Sequence, residues 1–203
     1  MLALSLFRRH TFSAALFAGL VANFGIGGVL FTLSLFFQES RNYSSLVAGL
    51  AFLPMTLPTA FNPIFAGRLV AKIGPRRPAT LGLILMALGT GLQAAATGNN
   101  GIDVVIGCIA LLLLGFGVSF ALPALVAGLL TTVPREKSGI ASGSLNSARQ
   151  TGAVLGVAVL GAVLAGSPHI ADGTRTAMLI SAALMVTAAA VVFTFVGRQT
   201  ARN

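Results

Sequence analysis

The sequence predicts an all-α integral membrane protein, a single domain over residues 1–203 folded as a bundle of six transmembrane helices. Three observations lead there. Six apolar stretches follow one another, each near the roughly 20 residues that an α-helix needs to cross a bilayer. Hydrophobic residues make up 56% of the chain and charged residues only 8%, with a mean hydropathy of +0.93; a soluble domain carries about a quarter charged residues. The four carboxylates, Glu39, Asp103, Glu136 and Asp172, all lie between the stretches.

In order, the first stretch, Phe12 to Phe37, contains Asn23 and the glycines Gly25, Gly27 and Gly28. The second, Leu46 to Ala66, holds Pro54, Pro58 and Pro63 together with Thr56, Thr59 and Asn62. Proline and glycine at membrane depth require neighbours that satisfy or pack the disturbed backbone, so this segment is expected against other helices. The third, Ala79 to Thr97, has no proline and carries only Gln93 near an end. The fourth, Val104 to Leu130, contains Gly115, Gly117, Ser119 and Pro123. The fifth, Gly143 to Ala165, is preceded by Ser142 and contains Asn146, Arg149 and Gln150, which at 100° per residue share with Ser142 a face about 100° wide. Gly139 and Gly143, and again Gly152 and Gly156, stand four apart, a spacing that admits a close neighbouring helix. The sixth, Thr176 to Gly197, lacks proline. The first, second, fourth and fifth helices are therefore expected to face inward and the third and sixth to lie outside.

Basic residues sort by connection. Arg8 and Arg9 precede the first stretch, Arg68, Lys72, Arg76 and Arg77 follow the second, Arg135 and Lys137 the fourth, and Arg198 and Arg202 the sixth. The odd-numbered stretches are followed by Arg41 and Arg175 alone. The positive-inside rule then predicts cytoplasmic termini in a multi-pass protein of the cell membrane, inner or plasma. The formal charge of +9 is spread over these connections and forms no clustered footprint for nucleic acid. The opening MLALSLFRRH puts its apolar run ahead of its charges, the wrong order for a secretory signal, and no removal is expected.

Enzymatic chemistry is not expected. Neither His10 nor His169 falls in a stretch, no carboxylate is available at depth, and the single Cys108 offers neither disulfide nor metal-ligand spacing. A bilayer Ser/His hydrolase built on Ser142 or Ser144 lacks its histidine. No catalytic residue, metal site or cofactor is predicted. Arg149 stands out, because an arginine at bilayer depth costs about 3 kcal/mol on insertion scales. Two roles fit: contact with substrate or with a carboxylate of another helix in a watery cavity, or snorkelling to headgroups from about two turns above the boundary.

GRLVAKIGPRRP, Gly67 to Pro78, resembles the loop signature of the major facilitator superfamily, matched at Gly67, Lys72, Gly74, Arg76 and Arg77, with Ala71 where that family has Asp and Pro75 at a basic position. SGIASGSLNSARQTGAVLGVAVLG, Ser138 to Gly161, resembles the penultimate helix of the fourteen-helix drug:proton antiporter branch, at Ala141, Ser142, Gly143, Asn146, Arg149, Gln150, Gly152 and Gly156. LFRRHTF and the AGLAFLP of the second stretch are similar to that branch as well.

The resemblance implies the carboxy-terminal half of a major facilitator transporter, two inverted three-helix repeats in which the first two helices of each repeat line the cavity. It implies alternating-access efflux of a hydrophobic or amphiphilic small molecule, with Asn23, Asn62, Asn146, Arg149 and Gln150 as cavity candidates and Gly67, Lys72, Gly74, Arg76 and Arg77 as the conformational loop. Asn and Gln also serve as interhelical glue, worth about 0.6 kcal/mol each. Proton coupling in that branch is placed in the amino-terminal half, and no stretch here has a carboxylate to replace it. The expected partners are the lipid bilayer, a small-molecule substrate, and an amino-terminal half or second copy. The chain is expected to be a piece of a longer carrier, since LFRRH is an interior stretch in that family; a homodimer and a standalone six-helix scaffold are the alternatives.

Overall fold

The computed structural model describes residues 10–98 and 100–196, and all regular structure among them is helical. Arg8, Arg9, Arg198, Arg202, most of the LFRRHTF segment and the expected final Gly197 lie outside the described residues.

Helix α1 runs His10–Leu35 and continues into a π-helical turn, Phe36–Ser40. Next come three short helices: α2 (Ser45–Ala51), α3 (Leu53–Phe61) and α4 (Pro63–Ile73). Then follow α5 (Arg76–Gln93), α6 (Gly101–Leu130), a 3₁₀ turn (Arg135–Lys137), α7 (Ser138–Ala165) and α8 (Ile170–Phe195). Four helical stretches are long and apolar enough to cross a bilayer: His10–Ser40, Gly101–Leu130, Arg135–Ala165 and Ile170–Phe195.

The second and third expected stretches differ from the sequence reading. The second is broken at Phe52 and Asn62, beside Pro54 and Pro63, which have no N–H to donate to the preceding turn. Within α3, Thr56 Oγ1 donates to Leu53 O at 3.2 Å and Thr59 Oγ1 to Thr56 O at 2.7 Å. In the third, α5 starts on Arg76 and Arg77 and stops at Gln93, short of Thr97, because Ala94 to Ala96 leave the helix in turns.

Ends are set locally. Ser44 Oγ accepts the Val47 N–H at 3.4 Å to start α2, and Asp103 Oδ2 accepts the Asn100 N–H at 3.2 Å at the start of α6. Gly74 ends α4 at φ +79°, ψ 168°, a conformation open essentially to glycine alone.

Helix α1 packs on α7 and α8, α5 on α6 and α8, and α6 on α3 and α4. The core runs through Leu33, Phe36, Leu83, Met86, Leu114, Leu125, Met178, Met185 and Val192, all buried. Two seams are tight enough to exclude side chains. An added Cβ on Gly152 or Gly156 would run into the backbone of Leu20 or Phe24 of α1, and one on Gly117 would sit 2.6 Å from Gly82 O of α5. Helices α5 and α8 thus supply much of the packed core, while α7 is the least covered of the long helices, with 22% of its most apolar window buried against 56% for α1. The first and last described turns meet: Thr11 Oγ1 donates to Phe195 O at 2.8 Å, and the His10 ring lies 5.8 Å from that of Phe195.

Candidate functional site

The stripe of α7 seated on α1 is Ala141, Leu145, Gly152, Gly156, Leu160 and Leu164. Gly152 and Gly156 let the α1 backbone lie directly on α7, and this fixes which way the polar residues turn. Ser142, Asn146 and Gln150, one turn apart in succession, are exposed on the uncovered side. Gly139 and Gly143 have nothing within 4 Å of where a Cβ would stand, so within the described chain they admit no neighbouring helix.

Arg149 separates from that group. It is half-buried against α1, where a Cβ added to Gly19 would stand 3.3 Å from its Cγ, and its Nε is buried with no protein hydrogen-bond partner. No ion pair involves it among the described residues. On the same stripe of α1, one turn from Gly19, half-buried Asn23 donates from Nδ2 to Gly19 O at 3.1 Å. Asn23 and Arg149 therefore converge on one turn of α1, and Asn146 and Gln150 lie beside them on the open face of α7.

Asn62 stands elsewhere, at the junction of α3 and α4. Its N–H donates to Pro58 O and its carbonyl accepts from Ala66 N–H, both at 2.9 Å. Its Nδ2 is buried without a partner beside an apolar groove of about 380 Å³ walled by Leu57, Phe61, Phe65, Leu112 and Phe116. The polar threonines near it bond within their own helices, and Ser119 is buried glue, its Oγ donating to Pro58 O at 3.1 Å and Gly115 O at 2.8 Å.

In the loop group, Gly67 and Lys72 are exposed near the end of α4, and Gly74 makes the turn. Arg76 is half-buried with its guanidinium carbon 4.3 Å from the centre of the Phe193 ring of α8, whereas Arg77 is exposed. The Arg76–Phe193 contact was not visible in the sequence, because nothing local links positions 117 apart. Arg41 was likewise visible only as a loop charge; it donates from Nη2 to Ala96 O at 3.0 Å and to Gly98 O at 2.8 Å.

Chemically the arrangement offers amide and guanidinium donors in an apolar frame. His169 precedes α8 and is exposed, and Ser144 Oγ donates to Ile140 O at 2.9 Å within its own helix, so no nucleophile and base come together there. Such a site can bind and orient a molecule.

The sequence profile described as Major Facilitator Superfamily matches residues 5–203. A multidrug resistance protein, Stp, of Mycobacterium tuberculosis is 34% identical over 176 residues, which cover 84% of this chain and 32% of that protein. The methylenomycin A resistance protein of Bacillus subtilis is 29% identical over 193 residues, covering 94% of this chain and 41% of the relative. The multidrug efflux pump LfrA of Mycolicibacterium smegmatis is 33% identical over 167 residues, covering 80% of this chain and 32% of the relative. The chain thus spans between about a third and two-fifths of the length of these curated relatives. Matched along nearly its whole length, the chain belongs to the Major Facilitator Superfamily, whose members are multi-pass transporters of the cell membrane and not enzymes.

Proposed function

We propose that this chain is the carboxy-terminal half of a small-molecule exporter working by alternating access. The observation that carries the reading is the uncovered polar face of α7. Ser142, Asn146 and Gln150 are exposed on a helix apolar enough to cross a bilayer, and polar groups in such a helix face a cavity or another helix. The resistance and efflux names of the relatives, each about two to three times longer than the matched region, support a cavity completed by further helices.

In this reading the chain makes six passes: α1, the broken α2–α4 segment, α5, α6, α7 and α8. Two features support two inverted three-helix repeats. Exchanging the first pass with the fourth, the second with the fifth and the third with the sixth maps the packing onto itself: α1 on α7 becomes α6 on α3 and α4, α1 on α8 becomes α6 on α5, and α5 on α8 maps to itself. The meeting of His10 with Phe195 accords with an even number of passes, and the basic connections support a cytoplasmic side for both ends.

The cargo is hydrophobic or amphiphilic, gripped through Asn23, Asn146, Arg149 and Gln150, with Asn62 contributing from the α3–α4 side and Gly67 to Arg77 setting the conformational loop. Proton coupling belongs to the missing half. The test is efflux by the chain joined to its amino-terminal half, with Arg149→Ala and Arg149→Lys. A loss with Ala and partial retention with Lys is expected; unchanged efflux in both removes Arg149 from the binding site. A homodimer is separated by mass measurement in detergent, since it would run at twice 20.6 kDa.

A further inference from the structure

Where α1 gives way to α2, and α5 to α6, a small pocket of about 40 Å³ lies between Phe37, Arg41, Tyr43, Gln93, Gly107 and Cys108. Gln93 is only 3% exposed, yet its Oε1 has no protein partner. Its amide lies beside Gly107, where a Cβ would stand in ordinary contact, 3.7 Å from both Oε1 and Nε2. Arg41 closes the same pocket from the other helix pair. Its Nη2 is committed to Ala96 O and Gly98 O, and its guanidinium carbon lies 5.1 Å from the Phe36 ring centre and 5.8 Å from that of Phe37. Its Nε–H is left buried and unpartnered.

One orphaned donor and one orphaned acceptor thus belong to residues that line a single pocket, and buried polar groups are as a rule satisfied. The pair selects the ligand. An anion would meet the unpaired Gln93 oxygen, and a cation would meet the Arg41 guanidinium. A neutral molecule that both accepts and donates satisfies the two together. At about 10–15 Å³ of probe volume per water, the pocket of about 40 Å³ holds roughly three or four waters at most and little else.

We propose that this pocket is a buried hydration site, in which water accepts from Arg41 Nε–H and donates to Gln93 Oε1, and that Arg41 is the latch that holds it shut, with half-buried Cys108 on its wall. The latch ties the π-helical end of α1 to the α5–α6 connection, so this end of the bundle moves as one piece. Cys108 is the chain's single cysteine and reports on the latch without engineering.

The test uses the purified full chain in detergent, where membrane sidedness plays no part. Hydroxyl radicals generated from water by a synchrotron pulse label residues beside bound water, and mass spectrometry reads Tyr43 and Cys108; a small methanethiosulfonate reads free access to Cys108. Gln93→Leu, close in volume but without the acceptor, is expected to lower radical labelling of Tyr43 and Cys108 by about threefold or more. Its thiol reaction should keep the rate of the unaltered chain's half-buried Cys108. Arg41→Ala and Arg41→Lys are expected to speed the thiol reaction by roughly tenfold or more through local opening, with Cys108→Ala as the blank. Arg41→Lys keeps the charge and loses the fork, so it carries the comparison if Arg41→Ala does not fold. Radical labelling unaffected by Gln93→Leu overturns the hydration site, and thiol rates within about twofold of the unaltered chain in the folded Arg41 variants overturn the latch.

Discussion

The second and fifth helical segments of this chain are punctuated by different residues, and the difference shows in their paths. The second carries Pro54, Pro58 and Pro63 and is divided into α2, α3 and α4. The fifth carries Gly143, Gly152, Gly156 and Gly161 and runs unbroken as the 28-residue α7. Proline deletes a backbone donor and bends the path. Glycine in an otherwise apolar helix keeps the hydrogen-bond ladder and removes bulk, so a neighbour comes close. The second segment is thus shaped along its own axis, and the fifth by what lies against it.

The largest blow to that contrast should come from Gly156→Leu. The side chain would have to displace the α1 backbone at Phe24, and a loss of about 3 kcal/mol or more is expected, read as a lowered melting temperature in detergent. Smaller is the effect on the proline side: Ser119→Ala removes the hydroxyl that α6 gives to Pro58 O, and a loss of about 0.6–1.7 kcal/mol is expected in the same assay. Arg76→Gln, which removes the guanidinium from Phe193 and loosens the α4–α5 connection from α8, should cost about 0.5–1 kcal/mol. Least of all, Gly143→Leu on the open face of α7 should leave the stability of the isolated chain within about 0.5 kcal/mol of the unaltered protein's. Joined to the amino-terminal half, the same variant should impair efflux. A destabilised isolated chain would show instead that Gly143 packs internally.

How far the sequence was legible depended on the range of the cause. Helix positions followed from hydropathy: the bounds of α6 lie within a few residues of its apolar stretch, while α8 starts at Ile170, ahead of the expected Thr176. The close contact at Gly152 and Gly156 followed from their spacing, but spacing alone could not tell that pair from Gly139 and Gly143, because only the neighbouring helix makes the distinction. Helical periodicity placed Ser142, Asn146, Arg149 and Gln150 on one broad face, and the edge of that face is where α1 lands, so Arg149 is half-buried and Asn146 is not. The breaks at Phe52 and Asn62 were signalled by the prolines, though hydropathy read through them, since an averaged index does not register a missing N–H. Contacts such as Arg41 with Gly98 or Thr11 with Phe195 join distant parts of the chain and left no local trace.

That last contact has a practical consequence. Because the hydroxyl of Thr11 reaches the final turn of α8, the two extremities can be joined by a short flexible tether and new ends opened in the α6–α7 connection near Glu136. A circularly permuted chain of that kind would begin with α7 and α8 and end with α6 without moving a helix, and its folding would tell whether α1 must be synthesised before the α7 that packs on it.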